Sequence, residues 1–350
     1  FVEIPLNNLD IFLDIDKIKK IEEISYNVEN LLVTSKKIVD SNYLYDSPYY
    51  LDGQGVSILL YELTSPYYHL DFKDRLFVNN SFPSFADHPT FVAGILIGNG
   101  SVISNYSGIS SNSEVISYEY DFTFLNSDIS NNYNSAINNG ISLASNSWGS
   151  EISSSLLCYK LGDYSSRTEL FDQFVKGESN KPVPVIFAAG NDKELSYCSS
   201  DGYDTIKPEA SGKNSITVGA INKKNLSVYN ESSYGPTDNG ITKPEIVAPG
   251  CYNNSEGMIS TISNDTYGLS CGTSFAAPHV SGTIALMLEQ WNNSGFSKDP
   301  LPSTIKAMLL DSATDLKRDG SGERVRDGPD YVNGFGLLNA KEAVDRIRDE

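Results

Sequence analysis

"SCGTSFAAPHVSG", Ser270 to Gly282, sets a serine behind a Gly-Thr pair and at the head of a long apolar run, Ser274 to Trp291. A serine at a helix start is ordinarily a cap that accepts from a free backbone N–H. Here the neighbours ask for more. Gly272, Ala276, Ala277 and Gly282 are small. They let another element approach closely and leave the Ser274 hydroxyl exposed at the head of a buried helix. Pro278 lies inside the helical run, where it removes a hydrogen bond, so it needs a packing or site-building reason.

Upstream of this helix, apolar runs alternate with helical patterns. Val56–Tyr61, Val115–Tyr118, Ile141–Ser145, "VPVIFAAG" (183–190) and "SITVGAI" (215–221) read as buried strands. His88–Ile97, with Pro89 in its first turn, reads as a helix, as do Ser130–Asn139 and Tyr164–Val175. Such alternation implies an α/β fold, a three-layer sandwich with a mostly parallel central sheet. "MIST" and "YGLS" flank "ISND" and predict a hairpin whose ends bring Cys251 and Cys271 together. A disulfide is expected there, with Cys158 and Cys198 as the second pair. Four free thiols are the other reading of an even cysteine count.

The 350 residues carry 45 acids and 26 bases, a net charge of −19. That balance argues against nucleic acid or an anionic membrane surface as main partner, because phosphate binding needs basic patches. No window approaches the roughly 20 apolar residues of a membrane span. The chain opens on Phe1. A processed, secreted or extracellular protein is expected, and a monomer. Residues 1–45 stand apart as an N-terminal extension, with "IPLNNLDIFLDIDKIKKIEEI" predicting a short amphipathic helix and then a strand-like run, and residues 46–350 form the main domain.

The serine stretch closely resembles the active-site motif of the subtilisin-like serine proteases, G-T-S-x-A-x-P. "HPTFVAG", His88 to Gly94, is similar to the family's histidine signature, and "AAGN", Ala188 to Asn191, to its oxyanion signature. "NSWG", Asn146 to Gly149, resembles the segment whose backbone pairs with substrate. The likeness runs from about residue 50 to the end. It implies a subtilisin-like fold and an endopeptidase acting on protein or peptide substrates. Ser274 would be the nucleophile, His88 the base and Asn191 the oxyanion donor. It also implies a substrate pocket lined by Ser147, Trp148, Gly149, Ala188, Ala189 and Gly190, whose small residues suggest room for a sizeable apolar side chain. The N-terminal segment resembles the end of a propeptide, which would make the chain's own propeptide a partner; a plain extension is the alternative. No cofactor is required by such chemistry and no metal motif is present. The resemblance implies that structural calcium is sometimes held by loop oxygens, with no ligands assignable here.

Two positions depart from the family pattern. The first strand ends in Glu62 where an aspartate is usual, and that acid has to orient the histidine and stabilise its cation. Asp71 and His69 lie nearby, beyond the strand end. Pro89 and Phe91 replace the residues common in the histidine signature. Besides a peptidase with Glu62 as third triad member, two readings stand: an impaired protease domain used for binding or regulation, and a peptide ligase or cyclase.

Overall fold

The computed structural model describes residues 31–178, 180–199, 201–253, 256–317 and 327–348, with the side chains of 31–34 excluded. The amphipathic helix read in the first 30 residues lies outside this set. In chain order the elements are α1 (Leu31–Ile38), β1 (Ser57–Glu62), β2 (Ser65–Pro66), β3 (Leu76–Val78), β4 (Phe85–Ala86), α2 (Asp87–Ile97), β5 (Glu114–Glu119), α3 (Asn126–Asn138) and β6 (Leu143–Asn146). There follow α4 (Ser166–Lys176), β7 (Val185–Ala188), β8 (Ile216–Asn222), β9 (Ile246–Cys251), β10 (Met258–Ile262), β11 (Thr266–Ser270), α5 (Thr273–Asn293), α6 (Pro302–Asp311) and α7 (Ala340–Arg348).

Seven strands form one sheet in the order β3-β5-β1-β6-β7-β8-β9, every pairing parallel. Strands buried on both faces are apolar almost throughout, and β1 shows why. Its Ile58 and Leu60 enter one core and its Leu59 and Tyr61 the other. The first core is aliphatic and holds α2, α5 and α7. The second lies under α3 and α4 and is rich in rings: Tyr61, Tyr133, Trp148, Phe171, Phe174 and Phe187. This is the expected three-layer α/β sandwich.

The chain runs out to β3, returns to β5, and only then crosses to the other side of β1. That reversal opens a crevice at the carboxyl ends of the central strands, where α/β sheets place their ligands. Helix α5 lies buried in the first core, and close approach is built into its sequence. A Cβ on Gly282 would stand 2.6 Å from the Cβ of Ile109. The predicted hairpin forms as β10–β11, and both cysteine pairs, Cys251–Cys271 and Cys158–Cys198, are joined. Val39, Leu44 and Leu51 belong to the aliphatic core, so the chain from α1 onward packs on the sheet's α5 side.

Candidate active site

Ser274 is the second residue of α5, behind Gly272 at φ 146°, a backbone angle that side-chain-bearing residues rarely adopt. The reason for Pro278 is visible here. A proline has no N–H, so the carbonyl four residues before it, that of Ser274, loses its helical donor. The Ser147 hydroxyl replaces that donor at 2.9 Å. In return the Ser274 hydroxyl donates to the Ser147 carbonyl at 3.0 Å. The head of α5 is thereby tied to the carboxyl end of β6.

Glu62 ends β1 one strand away and is 1% exposed. Its Oε1 accepts the Ser147 N–H at 2.6 Å. Its Oε2 has no hydrogen-bond partner and faces His88 Nδ1 at 3.6 Å, beyond hydrogen-bond range. Burial pushes this carboxyl up to about 8, with the Ser147 N–H opposing. His88 is the second residue of α2, and Pro89 follows in the first turn, where its missing N–H is no loss. Desolvation lowers the imidazole, but 44% of the side chain meets solvent, which keeps that depression smaller than full burial would give. Among the described residues no hydrogen bond joins the His88 ring to Ser274.

Phe91 has a partner that explains it. It packs on Phe275, the residue after Ser274, with centroids 4.4 Å apart, and the His88 ring lies 5.6 Å from the same phenyl group. The other two histidines are engaged elsewhere. His69 Nδ1 accepts the Asp71 N–H, and buried Asp71 accepts from Val102 N–H and the Tyr267 hydroxyl. His279 sits within α5, 2.9 Å from the Phe275 carbonyl and 3.0 Å from the Ser35 hydroxyl. Neither Asp71 nor His69 is bonded to His88.

Asn191 follows β7. Its Oδ1 accepts the Thr273 N–H and hydroxyl at 2.9 and 3.1 Å, while that hydroxyl accepts the Gly190 N–H. A backbone N–H on Oδ1 fixes the amide's orientation. The NH2 edge is left for a ligand, and a Cβ on Gly272 would stand 3.1 Å from it. Between Ser274 and Asn191 opens a cavity of about 210 Å³. Ser147, Trp148, Gly149, Ala188 and Gly190 are among its lining residues. Ala189 is not; its side chain lies in the ring-rich core. Two lining residues, Asp192 and Lys207, carry no sequence signal beyond the adjacency of Asp192 to Asn191. Among the described residues no group of three or more His, Cys, Asp or Glu side chains is placed to hold a metal ion.

A model of the subtilase family matches residues 67–336. The chain belongs to the subtilase family. The match begins beyond Glu62. This subtilase is 26% identical over 317 residues to Subtilisin-like protease 2 of Arthroderma otae, covering 86% of this chain and 62% of that protein. To Subtilisin DY of Bacillus licheniformis it is 30% identical over 258 residues, covering 73% and 77%. The matched part spans only 57% of the thermophilic serine proteinase of Bacillus sp. (strain AK1), at 27% identity over 73% of this chain. In fold the subtilase is similar to the Clostridium perfringens CspB protease, with a TM-score of 0.72, 15% identity, and coverage of 90% and 99%. The prenylagaramide maturation protease PagA gives 0.65, 23%, and coverage of 90% and 98%. No helix among the described residues is long and apolar enough to cross a membrane.

Proposed function

We propose that this subtilase is a serine endopeptidase with a Ser274–His88–Glu62 triad. The observation that carries the reading is a closed circuit of contacts at the carboxyl edge of neighbouring strands. Glu62 holds the Ser147 N–H, Ser147 holds Ser274, and Glu62 and Phe275 flank the two sides of His88. His88 removes the Ser274 proton as the hydroxyl attacks a peptide carbonyl. The Asn191 amide and the N–H at the head of α5 receive the oxyanion. A fixed donor there lowers the barrier by about 2.7–4 kcal/mol, a range carried over from the matching asparagine of subtilisin itself. His88 then protonates the leaving amine, and water releases the acyl group. Glu62 holds the Nδ1–H tautomer and the cation, closing its 3.6 Å gap as the charge forms. The two disulfides support export to an oxidising compartment.

A second reading, a protease domain without turnover, draws on the same gap and on the Ser274 hydroxyl pointing to Ser147 rather than His88. Fluorophosphonate labelling separates them. The peptidase reading expects stoichiometric labelling that Ser274→Ala abolishes; folded protein that takes no label overturns it.

A further inference from the structure

Between α6 and α7 the chain closes onto β9, the last strand of the sheet. Val247 donates its N–H to the Gly336 carbonyl at 3.0 Å and accepts the Leu338 N–H at 2.9 Å, while Leu337 also bridges Thr314. The packing there is close, for a Cβ on Gly336 would stand 2.9 Å from the Asp315 Cα. Three side chains of this junction each hold one buried oxygen without a hydrogen-bond partner among the described residues: Asp315 Oδ1, Asp330 Oδ2 and Asn333 Oδ1. Their other polar atoms are engaged. Asp315 Oδ2 accepts the Gly328 N–H at 3.2 Å. Asp330 Oδ1 accepts the N–H groups of Val332 and Asn333, both at 2.7 Å. The Asn333 NH2 donates to the carbonyl of Leu316, the neighbour of Asp315, at 3.3 Å. Each carboxylate therefore has one oxygen occupied and one left over, and the amide has its donor edge engaged and its acceptor unmet.

Such a group of acceptors is costly on its own. A buried oxygen without a donor has lost its hydration and gained nothing in return. Asn333 is fully buried, at 0% exposure, so bulk water does not reach its amide. The two acids are close enough to repel: burial first, and then the Asp315 charge, push the Asp330 carboxyl up against its backbone donors. No basic side chain among the described residues forms an ion pair with either acid, and Lys317, two residues from Asp315, lies on Asp327 at 3.5 Å. A single water has two protons and would leave one of three acceptors unmet. A divalent cation meets all three and cancels both charges. The donors are oxygens throughout, which selects a hard cation over zinc or copper. Calcium accepts carboxylate, amide and backbone oxygens in loose geometry, with water completing the shell, whereas magnesium demands a near-ideal octahedron. The Leu316 carbonyl has a second lone pair to offer as a fourth protein ligand. Asp315 and Asp330 are only half-buried, which leaves the ion a way in.

We propose that Asp315, Asp330 and Asn333 form a calcium site that clamps the closing segment of this subtilase to β9. The site does not rest on the peptidase reading, and its test needs no turnover. The full chain is freed of metal with EDTA, dialysed, titrated with calcium chloride by calorimetry, and melted with and without the ion. Calcium should bind with a Kd roughly between micromolar and millimolar. At a hundredfold excess over that Kd it should raise the melting temperature by about 3 °C or more. Asp315→Asn with Asp330→Asn keeps the backbone hydrogen bonds, because each amide oxygen still accepts them, and removes both charges. Without calcium this variant should melt at or above the parent, since the repulsion is gone; with calcium it should gain nothing. A merely structural role for the two acids would instead lower its melting temperature with and without the ion. Magnesium should bind the parent about tenfold or more weakly than calcium. Three results overturn the proposal: no calcium binding by the parent, equal binding by the paired variant, or magnesium matching calcium. If the paired variant does not fold, Asp315→Asn alone decides. It gives up one charge and no backbone contact, and should weaken calcium binding about tenfold or more; unchanged affinity there overturns the site.

Discussion

Glu62 carries one methylene more than the acid usual in this family, and the structure shows where the extra length goes. One oxygen is spent on the Ser147 N–H and the other stops 3.6 Å short of His88. The sequence alone shows the substitution but not this division, because it depends on a backbone 85 residues away. The same burial has a measurable sign. The folded-state value of about 8 lies above the ordinary 4.5, so between those pH values the folded protein holds a proton that the unfolded chain has released. The contribution of Glu62 to stability is therefore full below about 4.5 and is lost as pH rises through about 8. Glu62→Gln should melt several degrees above the parent at pH 9, with the gap closing towards pH 4.5, while its kcat falls about 10³–10⁴-fold. Because His88 serves as base only when its partner is ionised, the rising limb of kcat/KM against pH should belong to the coupled pair and climb through about 8. A limb near the unperturbed histidine range, about 6.5, would contradict that assignment.

At the scale of elements, the head of α5 was the most legible part of the chain and also the least self-explanatory. Its small residues announce close approach, and Gly282 against Ile109 delivers it. Pro278 announces an unmet carbonyl, but periodicity cannot say that a hydroxyl from β6's end meets it. This gives a cycle of substitutions to test. Ser147→Ala leaves the Ser274 carbonyl without its donor and should cost about 1–3 kcal/mol in denaturant unfolding. Pro278→Ala restores a backbone N–H, so the double variant should lose less than the sum of the two single losses; strict additivity would show that Ser147 does not serve that carbonyl. The β10–β11 hairpin was readable for a different reason. Asn264 and Asp265 turn with φ of 59° and 55°, a conformation these short polar residues tolerate, and the turn fixes the register that brings Cys251 to Cys271. Lys207 and Asp192 were not readable at all, since an ion pair between two loops has neither period nor motif.

At the scale of the molecule, the segment around α1 is fastened to the rest of the fold through groups that rarely accept burial. Lys36 is 8% exposed, donates to the Ser107 hydroxyl at 2.6 Å and lies 4.6 Å from the centre of the Tyr45 ring. Burial alone pulls its ammonium down to about 7 from 10.5. Between those values the unfolded chain binds more protons than the folded one, so stability should climb as pH rises from about 7 to 10.5. Lys36→Met should flatten that climb and raise the melting temperature at pH 7; a variant that melts lower at pH 7 would show that the charge is welcome there. The parallel sheet and its two cores were legible from apolar runs, whereas the docking of α1 depends on Ser35, Lys36 and Val39 meeting distant loops and helices. The contact between the Ser274 hydroxyl and the Ser147 carbonyl has a last effect, on timing. In the proposed mechanism, a peptide laid along Ser147–Gly149 would compete for that carbonyl with its own N–H and free the hydroxyl to swing towards His88. On the proposed peptidase reading, arrival of the substrate would thus arm the nucleophile. A peptide-linked phosphonate should show a faster maximal inactivation rate than a small one, not only tighter binding, while the small one still labels Ser274 to completion.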